Sequence, residues 1–369
     1  MAFEIPAAHL SAPAPAKVAT PVSITVLVGG DVLPHRPMLD EAGVEMALAP
    51  LSPIFKSADR TIVNYEAATG DPARARGMTY VAKPDWLGAL SRSGIAAITG
   101  ANNHACDAGL PGLRKTLEAA QGANLGVYGI DEADPWRPHT LVEKDGRRVC
   151  VVAWTTLVNT TSACSRSYAL ATAPLDRTGL GRVATAIGRA SRERCDATIA
   201  VFHGGDEYKQ QNAAVLAMAR QAAEAGAAAV VVHHPHVVSP VLEHETKDGR
   251  KVPIFPSVGN LVSNQGESYK PSMPPSYTAN RRLVCVNGWT RLGMLARLAL
   301  RFEENKGKPA LTWGYHLLWG ENEHADRRER LRPGIRVRLL DRERDREIVG
   351  RFSADMKGAP EVFRDPRWL

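Results

Sequence analysis

The stretch Gly100-Ala-Asn-Asn-His-Ala-Cys-Asp-Ala-Gly-Leu-Pro-Gly112 sets an amide, an imidazole and a carboxylate between two elements of opposite period. Before it, Ser93-Gly-Ile-Ala-Ala-Ile-Thr99 reads as a short buried strand. After it, Leu113-Arg-Lys-Thr-Leu-Glu-Ala-Ala120 spaces its apolar residues as a helix does. Asn102, Asn103, His104 and Asp107 therefore lie at the carboxyl end of a strand, the edge where open α/β sheets bind ligands.

The arrangement recurs along the chain. Asp31 follows Ile24-Thr-Val-Leu-Val-Gly-Gly30, and Glu66 follows Thr61-Ile-Val-Asn-Tyr65. His203 follows Ala197-Thr-Ile-Ala-Val-Phe202, and His233-His-Pro-His236 follows Ala227-Ala-Ala-Val-Val-Val232. Taken singly, each has an ordinary explanation: an Asx-type cap, a turn residue, a carboxylate at a helix start, an exposed loop. Polar groups gathered at successive strand ends beside glycine are costly unless paired or metal-bound, so together they point to a metal site. Imidazoles, carboxylates and an amide without a cysteine pair suit divalent Mn, Fe, Co or Zn. Asp31, Glu66, Asn103, His203, His234 and His236 are more ligands than one tetrahedral ion accepts, which favours two ions with a carboxylate between them.

Gly30-Asp31, Asn64-Tyr-Glu66, Ala101-Asn-Asn-His-Ala-Cys-Asp-Ala-Gly109, His203-Gly-Gly-Asp-Glu-Tyr208, His233-His-Pro-His-Val237 and Ser257-Val-Gly-Asn260 resemble, in order, the motifs of the CapA-like poly-γ-glutamate biosynthesis (capsule) proteins. Those proteins are similar in fold to the calcineurin-like metallophosphoesterases. The resemblance implies an α/β fold of layered β-sheets flanked by helices. It implies that Asp31 and His236 hold a first ion, that Asn103, His203 and His234 hold a second, and that Glu66 bridges them. It gives His104 the protonation of a leaving group, with Asp107 three residues on to orient the imidazole. Asn102, Glu207, Tyr208 and Asn260 from these motifs, with Arg281 from a basic loop, are the candidate substrate contacts. The chain departs from the pattern at Tyr65 where the family has Leu, at Gly204 where it has Trp, at Ser239 where it has Gln, and at Val232 where it has Gly. No ligand is lost by these changes. His35, four residues after Asp31, is a candidate extra ligand or acid, whereas His139, His244, His316 and His324 lack such a setting.

The implied activity is metal-assisted hydrolysis with two divalent ions (Mn, Fe or Zn) against a phosphoester or a γ-glutamyl amide of an anionic small molecule or polymer. The alternative is an accessory protein that grips such a polymer without cutting it. A net charge of +7 suits an anionic substrate, with Arg74, Arg76, Lys83, Lys209, Arg281 and Arg282 in loops able to ring the site. No aromatic-interleaved basic stripe suggests nucleic acid.

With 369 residues the chain is large enough for one catalytic body with extensions. Residues 1–21 read as a flexible Ala/Pro-rich leader, 22–324 as the catalytic domain and 325–369 as a mixed-charge extension with a strand at Ile335-Arg-Val-Arg-Leu-Leu340. Val149-Cys-Val-Val-Ala-Trp154 reads as a buried strand, the Thr/Ser-rich run from Thr155 to Ser167 as a lid or substrate-facing insertion, and Gly179 to Glu193 as a helix. Five cysteines at irregular spacing do not suggest a disulfide framework, and Cys106 reads as a packing residue. No stretch approaches the roughly 18 apolar residues needed to span a bilayer. The family resemblance implies a periplasmic or cell-surface location after removal of a signal, with a cytoplasmic one as alternative.

Overall fold

The computed structural model describes residues 21–35, 41–75, 77–160, 164, 166–167, 169–209, 211–270, 272–273, 283–303, 307–322 and 334–355. The leader expected at residues 1–21, along with Arg76, Arg281, Arg282 and His324, lies outside them, except for Pro21.

The chain opens with β1 (Val22–Val32), α1 (Glu41–Leu48), α2 (Ser52–Ser57) and β2 (Arg60–Tyr65), followed by the short β3 (Ala68–Thr69) and β4 (Val81–Ala82). Next come α3 (Asp85–Arg92), β5 (Ala97–Thr99), α4 (Gly109–Gly122), β6 (Gly126–Tyr128), β7 (His139–Lys144) and β8 (Arg147–Thr155). Two βα repeats follow as α5 (Arg177–Arg192), β9 (Ala197–His203), α6 (Ala213–Glu224) and β10 (Ala229–His233). The last part is mostly strand: β11 (Leu242–Glu245), β12 (Lys251–Phe255), β13 (Asn260–Val262), β14 (Leu292–Phe302), β15 (Ala310–Asn322) and β16 (Ile335–Leu339), ending in α7 (Arg346–Asp355).

Among the described residues these strands form two large sheets. One runs β16-β15-β14-β1-β2-β5-β6, with β13 also pairing β1; the other runs β11-β12-β10-β9-β8-β7. The βα segments form the parallel parts, β1-β2-β5-β6 and β8-β9-β10-β12, while the hairpin-linked β14, β15 and β16 are antiparallel. The strand in the C-terminal extension thus completes the edge of the first sheet.

Side-chain alternation of period two stacks the layers. Ile24, Val26 and Val28 of β1 and Ile62 of β2 meet Val149 and Val151 of β8, Ile199 and Val201 of β9 and Val231 of β10 in one core between the sheets. The opposite faces are equally apolar. Leu27, Val63, Tyr65 and Ile98 pack beneath α1, α2 and α3 with Leu48, Phe55 and Trp86. Trp154, Phe202, Val230 and Val232 pack beneath α5 and α6 with Val183, Ile187 and Met218. Helix, sheet, sheet and helix layers result, the layered α/β architecture expected from the sequence. Each buried aliphatic or aromatic side chain contributes roughly 1.5–3 kcal/mol relative to exposure.

The cysteines correct an expectation. Cys106 is joined to Cys164 and Cys150 to Cys195, leaving Cys285 as the free thiol. Separations of 58 and 45 residues hide these pairs in the sequence, because it is the fold that brings β8 beside the turn after α5.

Candidate metal centre

The carboxyl ends of the parallel strands of both sheets converge at the seam between them. A local irregularity aims Asp31 into it. Val28 pairs with Ile62 but Asp31 pairs with Asn64, so β1 holds one more residue than β2 over Gly29-Gly30. Such a bulge re-aims the side chains that follow. Gly30 is required there: a Cβ on it would fall 2.1 Å from the carbonyl oxygen of Gly259, whose neighbouring strand β13 crosses at that point. Asp31 and Asn64 then face each other, and Asn64 Nδ2 donates to Asp31 Oδ1 at 2.8 Å.

Asp31, Glu66, Asn103, His203, His233, His234 and His236 are all buried. Asp31 Oδ1 lies 3.1 Å from His233 Nδ1 and Asp31 Oδ2 lies 3.2 Å from His236 Nδ1. Glu66 Oε1 is 3.6 Å from His203 Nε2 and 3.7 Å from His236 Nε2. His203 Nε2 and His234 Nδ1 are 3.0 Å apart. Ligand atoms of Asp31, Glu66 and His203 lie within 4.8 Å of one another, as do those of Glu66, His234 and His236. Glu66 belongs to both triads. The family resemblance places His236 with Asp31 and His203 with His234, pairs that also lie in contact here at 3.2 and 3.0 Å, although the two triads group the histidines differently.

The backbone shows the same demand. His234 and His236 have φ of 103° and 58°, and Tyr208 has 59°. For residues with a Cβ such angles cost on the order of 1–3 kcal/mol each unless the surroundings enforce them. Here the His-His-Pro-His turn is what brings both imidazoles back toward the carboxylates.

Whether these residues suit cations is decided by their unmet bonds. Both carboxylate oxygens of Glu66 and the Oδ1 of Asn103 are buried without a hydrogen-bond partner. A buried carboxylate with no donor is strongly disfavoured, and a divalent cation is a partner that removes the penalty. Burial holds the Glu66 carboxyl well above the usual range, the charge of His236 opposes it, and the carboxylates Asp31, Glu207 and Asp107 add to it. Burial would also raise Asp31, but hydrogen bonds and charge from His233 and His236 outweigh it and hold Asp31 well below the usual range. Burial and the neighbouring His234 keep His203 neutral; burial and His236 push His234 down to about 3. Neutral imidazoles are the form that ligates metal. His236 is opposed by burial but raised to about 9 by Glu66 and Asp31. The unpartnered oxygens of Glu66 and Asn103 and the neutral imidazoles of His203 and His234 therefore fit divalent ions, and a bound cation would take the place of the proton that Glu66 and Asp31 favour on His236.

His104 and Asp107 form a pair beside this cluster. His104 Nδ1 lies 2.6 Å from Asp107 Oδ2, which also accepts from the Tyr80 amide at 2.6 Å. The Tyr80 ring packs on His104 with centroids 4.3 Å apart.

The remaining candidates divide. Glu207 acts on Glu66 and His236 through its charge, and Tyr208 packs its ring 5.9 Å from that of His236. Asn102 and Asn260 are buried and hydrogen-bonded to protein groups. Asn102 donates to Tyr65 O at 2.7 Å and accepts from the His104 amide at 3.0 Å. Asn260 places Oδ1 3.0 Å from His236 Nδ1 and donates to Gln265 Oε1 and Thr290 O, each at 2.9 Å. His35 directs Nδ1 to Ser263 Oγ and the Asn264 amide, and burial, with His236 and His104, pushes it down to about 3. Arg281 falls outside the described residues. Arg74 is exposed beside Asp71, and Lys209 pairs with Asp206 at 3.5 Å.

A family model for the bacterial capsule synthesis protein PGA_cap matches residues 25–265. The chain belongs to this family. Two curated relatives of the capsule family are similar to it. The PGA biosynthesis protein CapA of Bacillus subtilis (strain 168) is 24% identical over 247 residues, 64% of this chain and 62% of the relative. The capsule biosynthesis protein CapA of Bacillus anthracis is 24% identical over 264 residues, 69% of this chain and 63% of the relative. The matches thus span less than two thirds of those relatives.

Within the capsule-family region, the structure adds residues that the sequence reading passed over. Asn64 lies within the buried strand β2, yet its Nδ2 also lies 3.2 Å from His203 Nδ1, and its Oδ1 accepts from Thr99 Oγ1 at 3.1 Å and Asn102 Nδ2 at 3.3 Å. It links candidate ligands from both sheets. His233 stands in the His-His-Pro-His run and reaches Asp31. The available signal was position alone: Asn64 sits two residues before Glu66 on the same face as Ile62.

Proposed function

We propose that this capsule-family chain is a metal-dependent hydrolase with a binuclear centre, acting on a phosphoester or γ-glutamyl amide bond of an anionic substrate in capsule or cell-envelope polymer metabolism. The observation that carries the reading is Glu66, a buried carboxylate without a hydrogen-bond partner that is shared by two ligand triads. Asp31, Asn103, His203, His234 and His236 would complete the two sites. Bound there, divalent ions supply a water of lowered pKa and positive charge to polarise the scissile bond.

The chain's own residues do the rest. Asp107 accepts the Nδ1 proton of His104, which fixes the ring orientation and turns Nε2 toward the site as the atom that carries a proton to the leaving group. Asn64 orients Asp31 and His203, and Asn260 orients His236. The PGA biosynthesis in the name of one relative, with the motif resemblance to poly-γ-glutamate proteins, supports an anionic polymer as substrate. Two disulfides support a compartment outside the reducing cytoplasm. Among the described residues no helix is long and apolar enough to cross a membrane.

Hydrolysis of p-nitrophenyl phosphate, bis-p-nitrophenyl phosphate and γ-glutamyl p-nitroanilide by Mn-loaded protein tests the reading. Wild type should turn over at least one, and His104→Ala should keep its metal while losing about 10²–10⁴-fold in kcat. Equal activity of the two proteins would remove the role given to His104, whereas no activity in wild type would leave a polymer-binding accessory protein instead.

A further inference from the structure

The described residues of the loop that follows β8 supply none of the candidate metal ligands, yet they are fastened to the centre at several points. The Thr156 amide donates to His203 O at 2.9 Å, and Thr156 fills the space beside Gly204, where an added Cβ would fall 2.2 Å from Thr156 Oγ1. The Asn159 amide donates to Asn103 O at 2.9 Å. Cys164 is bonded to Cys106, two residues beyond His104. Thr156, Asn159 and Cys164 of the lid expected at Thr155–Ser167 are therefore latched to the body of the protein. These anchors leave the Asn159 side-chain amide, Nδ2, 3.4 Å from His104 Nε2. Because His104 Nδ1 is occupied by Asp107, Nε2 is the atom that meets substrate, and Asn159 stands directly beside it.

We propose that Asn159 is a substrate-contacting donor whose side-chain amide shares one leaving-group oxygen with His104 Nε2, and that the Cys106–Cys164 bridge and the room left by Gly204 hold it there. The inference rests on the hydrolase reading above. An oxygen accepting from Nε2 must enter the space that the Asn159 amide borders, and an N–H fixed beforehand at that point stabilises negative charge as it develops. The substrate class this selects is one whose leaving atom is an oxygen with free lone pairs, as in a phosphoester, over an anilide nitrogen.

The test uses Mn-loaded full chain and whichever p-nitrophenyl phosphate ester wild type cleaves; a wild type that cleaves γ-glutamyl p-nitroanilide but neither ester would overturn the inference. Asn159→Ala should lower kcat about 100-fold with unchanged metal content. Asn159→Asp, nearly isosteric but lacking the donor, should be at least as impaired, whereas a packing role would spare it; this variant also keeps the test readable should the alanine protein misfold. Joint Cys106→Ser and Cys164→Ser replacement should lower kcat in the wild-type background and add nothing to Asn159→Ala. Wild-type kcat in Asn159→Ala, near-normal turnover in Asn159→Asp, or multiplicative cysteine and asparagine effects would overturn the inference while leaving the hydrolase reading intact. A wild type that cleaves nothing instead removes the hydrolase reading itself.

Discussion

Asn64 illustrates how a residue that touches no candidate ion directs those that do. Its amide nitrogen spans Asp31 Oδ1 and His203 Nδ1, and its carbonyl oxygen is tied to Thr99 and Asn102. Asn64→Leu preserves approximate volume but frees both ligands to rotate. It should weaken Mn binding about 10–100-fold, read by calorimetric titration of metal-free protein. Residues of this kind are hard to see in a sequence. Asp31, Glu66 and the histidines stand out because a charged or imidazole group directly after a β-branched run is conspicuous. Asn64 falls inside such a run, and Asn159 reaches the site through a loop whose path depends on a disulfide.

The strands and helices beside the site were legible as elements because their apolar periods are unmixed. The runs at 24–30, 61–65, 149–154 and 197–202 all lie in strands, and Gly179 to Glu193 overlaps α5. The two-residue bulge region at Gly29-Gly30 was not, since its cause is the approach of β13 from more than 200 residues away. The last strand offers a prediction at this scale. Asp345, at the start of α7, accepts from Arg338 of β16 at 2.6 and 2.8 Å and from the Asp341 amide at 2.8 Å. Burial raises its carboxyl, but these bonds outweigh burial and lower it below the usual range. A carboxyl lowered in the folded state stabilises above its unfolded pKa and loses that contribution as pH falls through the folded one. Asp345→Asn should therefore lower stability in urea at neutral pH, with the difference from wild type shrinking as the solution is acidified below the carboxylate range. A difference that grows on acidification would contradict the assignment.

At the scale of the whole molecule, two sheets packed face to face bring strand ends far apart in sequence to a single seam. The second disulfide reinforces the sheet that carries His203 and His234. Cys150 lies on β8 and Cys195 just ahead of β9, closing a separation of 45 residues. Replacing both with Ala should cost about 2–4 kcal/mol, seen as a lower melting temperature in oxidising buffer and as a much smaller difference when both proteins are reduced. Cysteine spacing did not reveal this pairing, because adjacent parallel strands are joined through a helix of sequence-independent length.

In the proposed hydrolase, Glu66 joins two ion sites at that seam. Elemental analysis of Mn-loaded wild type and Glu66→Gln after removal of free metal tests it most directly. The account predicts about two ions per chain in wild type and loss of both, or of all but a weakly held one, in the variant. Equal metal content in the two proteins, or a wild type that retains no metal, would contradict it.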